Sequence, residues 1–125
     1  MSDLLFISPF FIVADLQESV DFYVDKLGFE LHYMAEAEAP YFAMIGRGPV
    51  SLMLKSSGQP VPNHTRYDWA VWDAHIGVAD PDALFEEFRS KGVNFHQGLQ
   101  NNTDNLRGFC VTDPNGYRLF FARPI

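Results

Sequence analysis

Four histidines, His32, His64, His75 and His96, and one cysteine, Cys110, are the residues here best suited to binding a metal or moving a proton. Their spacing argues against a shared site. No two histidines stand at the i, i+4 interval that places two imidazoles on one helix face for zinc. His32 and His96 fall on the polar sides of two strand-like segments, where isolated polar residues are mostly at the surface. Asp73 and His75 are two apart, so a strand would turn both to one face. Two donors from one strand do not complete a site for a hard divalent cation. Cys110 lies in the apolar run Phe109-Cys110-Val111 with no basic neighbour, the setting of an inert core thiol. Ser8 lacks the Gly-x-Ser-x-Gly elbow of a nucleophile. Gly46-Arg47-Gly48 runs into Pro49 as a hairpin turn, and no Walker or dinucleotide-binding loop occurs. The residue types assign no catalytic group and no cofactor.

What the chain has in excess is rings. Twelve Phe, five Tyr and two Trp bring the aromatic share to 15%, enough to support two readings. One is a densely packed aromatic core. The other is a cavity whose walls stack on a flat or cationic ligand. Composition does not separate them.

The elements that must position these side chains occur twice. Asp15 opens an apolar series at Leu16, Val20, Tyr23, Val24 and Leu27, the period of an amphipathic helix. Asp15 suits the N-cap, Glu18 the capping-box position and Gly28 the left-handed C′ position. Phe29, Leu31 and Tyr33 then alternate with Glu30 and His32 as a half-buried strand. In the second half Asp80-Pro81 supplies the cap and first turn, Leu84, Phe85 and Phe88 the stripe, and Lys91-Gly92 the stop. Val93 and Phe95 alternate afterwards with Asn94 and His96. Asp-to-Gly spacing is 13 in the first copy and 12 in the second. A β-rich run precedes each helix, Leu5 to Val13 and Trp69 to Val78, and two strands follow each unit's second. These are Tyr41 to Ile45 with Val50 to Lys55, then Gly108 to Thr112 with Tyr117 to Arg123.

The fold class expected is α+β, two tandem β-α-β-β-β modules with mixed sheets. Module one spans residues 1–55, a Pro- and Gly-bearing linker 56–67, and module two 68–125. A unit of this size struggles to bury a core alone, so one domain of 1–125 is expected. Sixteen acidic against nine basic residues give a net charge of −7, which repels phosphate backbones and speaks against nucleic acid. No apolar run reaches the roughly 20 residues of a membrane span. The opening Met1-Ser2-Asp3-Leu4-Leu5 lacks the basic start of a signal peptide, and a lone cysteine forms no internal disulfide. A cytoplasmic protein is expected.

Asp15-Leu16-Gln17-Glu18-Ser19-Val20-Asp21-Phe22-Tyr23, followed by Leu27-Gly28-Phe29, resembles the first module of the vicinal oxygen chelate superfamily. That group includes glyoxalase I, extradiol dioxygenases, fosfomycin resistance enzymes and bleomycin resistance proteins. Asp113-Pro114-Asn115-Gly116-Tyr117 resembles the closing turn of its second module. The likeness covers essentially the whole chain, and it implies that the paired sheets form an open cup. The superfamily's enzymes usually hold a divalent metal through a His or Gln on each module's first strand and a Glu-like ligand on each last strand. The matching positions here are Ser8, Met53, Asp73 (with His75 two residues on) and Phe120. A thioether and a phenyl ring make no hard-metal site, so no metal is expected.

The resemblance is nearest to the metal-free bleomycin resistance proteins, acidic dimers that sequester an antibiotic. Val61-Pro62-Asn63 before a Trp-containing strand and Leu106-Arg107-Gly108-Phe109 before Asp113-Pro114 carry it. It implies a homodimer and a small-molecule ligand of cationic or aromatic character, a basic one favoured by the charge of −7. The alternatives are a metal-dependent lyase or dioxygenase of the same superfamily, and a structural dimer whose cup is filled by side chains. Strand period puts Ser8, Phe10 and Ile12 on one face, with Ser51, Met53 and Lys55, and then Arg118, Phe120 and Ala122, on matching faces. The ligand-binding set expected is Ser8, Phe10, Met53, Asp73, His75, Arg107, Phe109 and Phe120, with Trp69 and Trp72 at the mouth. Ligand identity stays open.

Overall fold

Asp15 is itself extended, at φ −134° and ψ 112°, and its carboxylate accepts the Glu18 N–H at 3.0 Å. That cap begins α1, Leu16–Asp21, which widens into a π-helical turn over Phe22–Lys26. Gly28 ends it at φ 72°, a conformation open to glycine. Asp80 repeats the device by accepting the Ala83 N–H at 3.1 Å, with Pro81 in the first turn of α2, Pro81–Ser90. Gly92 follows at φ 74°. The computed structural model describes residues 3–36 and 38–125, so Met1 and Ser2 of the acidic opening lie outside it.

Around each helix lies a four-stranded mixed sheet. The strands are β1 Phe10–Ile12, β2 Glu30–Met34, β3 Phe42–Arg47, β4 Val50–Lys55, β5 Ala74–Gly77, β6 Phe95–Asn101, β7 Leu106–Thr112 and β8 Arg118–Pro124. Their orders are β1-β4-β3-β2 and β5-β8-β7-β6, parallel at β1/β4 and β5/β8 and antiparallel elsewhere. The two β-α-β-β-β modules are therefore present. The repeat extends to single bonds, Val13 N–H to Lys55 O and Val78 N–H to Ala122 O, each at 2.9 Å.

Chain contacts divide the molecule into Met1–Pro60 and Val61–Ile125. The linker read from the sequence is thus shared, and its second half is tied to module two. Val61 N–H donates to the Tyr117 hydroxyl at 3.1 Å, and Asn63 N–H to Asp73 Oδ1 at 2.7 Å.

Some elements differ from expectation. The run Leu5 to Val13 yields only the three residues of β1, which begins directly after Pro9, a residue with no N–H to give to a ladder. Trp69 to Val78 yields only β5. β2 is an edge strand with Leu31 and Tyr33 exposed, not half-buried.

The β7–β8 connection rests on one side chain. Asp113, 4% exposed, accepts the N–H groups of Asn115 at 2.8 Å and Tyr117 at 2.9 Å through Oδ1, while Gly116 takes φ 88°. Asp113→Ala is expected to cost about 2–3 kcal/mol in urea unfolding, since two amides lose a charged acceptor. A cost near zero would mean that the turn forms without it.

Candidate functional site

Each sheet has one face under its helix and one face without. In module one Phe11, Ala43, Ile45, Leu52 and Leu54 are buried on the side where α1 packs against β3 and β4. In module two Phe109, Val111, Leu119 and Phe121 are buried on the α2 side, with Phe88 edge-on to Phe109 and Phe121 at 5.8 and 5.3 Å. Strand alternation sends the neighbouring side chains to the opposite, open face.

Register aligns those open-face residues in equivalent rows. Phe10, Met53, Met44 and Tyr33 cross module one from β1 through β4 and β3 to β2. His75, Phe120, Cys110 and Gln97 cross module two from β5 through β8 and β7 to β6. In module one the row stays open, with Phe10 53% exposed and stacked on Phe42 at 6.4 Å. In module two it is roofed. Trp72 lies flat on Phe120 with ring centroids 4.5 Å apart and planes 11° apart, leaving Phe120 only 2% exposed. His75 meets both rings edge-on, at 5.9 Å from Trp72 and 5.4 Å from Phe120.

The remaining expected residues separate into three groups. Ser8 precedes β1, and its hydroxyl oxygen is buried without a hydrogen-bond partner among the described residues. Trp69, 74% exposed, stacks on Tyr67 at 5.1 Å in the segment before β5. Asp73 is committed to structure, its second oxygen accepting the Arg118 N–H at 2.8 Å. Arg107 and Phe109 do not join the row. Their register partners are Arg123 and Phe121, so they point to the α2 side. Arg107 forms a bidentate pair with Asp82 on α2, both bonds 2.8 Å, and this bond holds the Asp82 carboxyl below its ordinary pKa. Phe109 is fully buried among rings.

Phe42, Met44, Tyr33, Cys110 and Gln97 were missing from the expected set. The repeat itself carried the signal, because each shares a row with a residue that the strand period had already selected. Cys110 offers no reactive thiolate, since burial pushes its pKa up to about 11. The folded protein keeps the proton that the unfolded chain gives up near pH 9. Stability from this group is therefore full below pH 9 and is lost between pH 9 and about 11. Iodoacetamide at pH 8 is expected to label Cys110 only after denaturation, read by intact mass.

A divalent metal does not fit this donor set. Met53 offers a soft thioether, Phe120 offers no lone pair, and both Asp73 oxygens already accept backbone amides. Among the described residues no three His, Cys, Asp or Glu side chains converge. No helix among them is long and apolar enough to cross a membrane.

Comparison with known proteins agrees with this architecture. The bleomycin-binding protein of bleomycin-producing Streptomyces verticillus, solved with copper(II)-bleomycin, is 27% identical over 100% of both chains, with a TM-score of 0.72. TioX from Micromonospora sp. ML1 is 24% identical over 95% of each chain at 0.71. TnmS3, an antibiotic-binding protein from Streptomyces sp. CB03234, is 21% identical over 100% of this chain and 98% of its own at 0.73. No curated protein matches the sequence. The sequence profile of one family matches residues 6–121, and with the paired β-α-β-β-β modules it establishes that the chain belongs to the Glyoxalase/Bleomycin resistance protein/Dioxygenase superfamily.

Proposed function

We propose that this protein binds a small molecule with a planar aromatic body, as an antibiotic-sequestering protein does, without a metal and without turning the ligand over. The carrying observation is the pair of equivalent rows. Phe10 pairs with Met53 in one module, and in the other His75 pairs with Phe120 under the roof of Trp72; Met53 and Phe120 stand at positions where the resemblance places metal donors. Rings and thioethers favour a flat, polarizable ligand. In module two Trp72, His75 and Phe120 form the proposed contact set, with Trp69 at its margin and Asp73 fixing the segment that carries Trp72; in module one the equivalent surface is Phe10 and Met53, with Ser8 beside it. The bleomycin-binding relative supports a ligand of antibiotic type.

The active form is proposed to be a cytoplasmic homodimer. Leu4, Leu5, Phe6 and Ile7 are consecutive, apolar and exposed, and a second copy of the chain is the occupant that would cover them. A concentration-independent monomer in sedimentation would overturn that part.

A Trp69→Phe variant leaves Trp72 as the single indole. Titration with neutral 2-naphthalenemethanol is expected to quench its emission saturably. The filled-face alternative has one observation in its favour, the near-complete cover of Phe120. An emission that does not respond would decide for it.

A further inference from the structure

Module two carries a polar group of side chains beside the aromatic row, and the proposed function makes no use of it. Arg118 shares the open face with Phe120 two residues on, roughly 6.5 Å along the strand. Its register partner is Thr112, whose N–H donates to Asn94 O at 3.2 Å. His96 follows on β6, at the irregularity between Phe95 and Gln97. Phe95 turns inward to Phe85 at 4.6 Å, which sends His96 to the open side. From the segment before β5, His64 reaches the β7–β8 turn, where its Nε2 stands 2.9 Å from Gly116 O. A carbonyl only accepts, so Nε2 carries the hydrogen and donates it.

Three basic groups thus gather on one face of a chain whose net charge is −7. The Arg118 guanidinium forms no ion pair among the described residues. Asp73 accepts the amides of Asn63 and Arg118, and Asp113 those of Asn115 and Tyr117. From β7 the group is faced by Cys110, a neutral thiol. His96 sits below its ordinary pKa, first through desolvation and then through the positive charges of Arg118 and His64. Mutual repulsion of this kind is relieved by an anion.

We infer that Arg118, His96 and His64 form an acid-binding subsite next to the Trp72–Phe120 stack, so that the ligand is an aromatic carrying a carboxylate. The inference rests on the binding reading above and narrows its ligand class. It runs against the overall charge, which attracts cations at long range. Beyond about 8 Å that field is screened at physiological salt, whereas a direct guanidinium–carboxylate pair is not.

The test uses three probes of one shape: 2-naphthoate, 2-naphthalenemethanol and 2-naphthylmethylammonium. Affinities are read at pH 6.0 and 8.5 from Trp72 emission in the Trp69→Phe protein. Naphthoate is expected to bind about tenfold tighter than the alcohol at pH 6.0, and the ammonium more weakly than either. The preference for naphthoate should shrink at pH 8.5, where His96, held below its ordinary pKa, carries no charge. Arg118→Gln should bring naphthoate to within about twofold of the alcohol, and His96→Gln should lower its preference at pH 6.0 only. Thermal unfolding of each variant verifies folding. Equal binding of naphthoate and alcohol, or tighter binding of the ammonium, would overturn the acid subsite and leave the aromatic site standing. Failure of all three probes to bind would overturn both.

Discussion

Phe109→Ala is expected to destabilise the second module by about 3–5 kcal/mol, the range for truncating a fully enclosed ring. Phe109 has no exposed surface. Four rings surround it, Phe85 at 5.4 Å, Phe88 at 5.8 Å, Phe95 at 5.7 Å and Phe121 at 5.4 Å, the last one stacked. Three of the four come from α2 and β8. The cavity would therefore open between helix and sheet, where strands held by backbone bonds can collapse little. Beside it Gly108 already lacks room for a Cβ, which would meet Phe121 O and the Ala122 side chain. Backbone shift of β7 toward β8 is thus blocked as a means of closing the void. Urea unfolding should show a lower midpoint at unchanged slope. A loss below about 1 kcal/mol would contradict the packing described.

This residue also marks where sequence reading stopped. Caps and glycine stops were legible at Asp15, Gly28, Asp80 and Gly92 because each acts within a turn of its own chain. The repeat was legible because the same short-range grammar occurs twice. Facing along β8 followed from period alone, with Phe120 on the open side and Phe121 on the other. Phe109 was different. Its face depends on pairing with Phe121 rather than Phe120, a register fixed by the Asp113–Gly116 turn. Arg107 shares that dependence, and its contact with Asp82 joins residues distant in the chain. The length of β1 was not legible either. An apolar β-rich run does not show where the ladder starts, and β1 begins only after Pro9 although β4 extends back to Val50. The roof over Phe120 had no local signal at all. Trp72 lies outside any strand, held by its neighbour Asp73 and by Asn63, whose side chain donates to Trp72 O at 3.4 Å.

Phe120→Ala and Phe121→Ala form the second test, because adjacent residues of one strand serve opposite faces. Each ring is nearly inaccessible, so both truncations should lower stability, Phe120→Ala by roughly 3 kcal/mol and Phe121→Ala by up to about 5. The difference lies in what each void touches. Phe121 stacks on Phe109 at 5.4 Å and meets Phe88 at 5.3 Å, so its loss loosens α2 on the sheet. Phe120 supports Trp72, and its loss leaves that indole without a floor and His75 without an edge contact. The roof can settle into part of that space, hence the smaller cost. In a Trp69→Phe background, Phe120→Ala should red-shift Trp72 emission and weaken 2-naphthalenemethanol binding. Phe121→Ala should leave the Trp72 spectrum in place while the unfolding midpoint falls. The opposite result, a Trp72 spectrum that follows Phe121 and ignores Phe120, would reverse the two faces of β8. With the faces reversed, the row from His75 to Gln97 would lie under the helix and could hold no ligand.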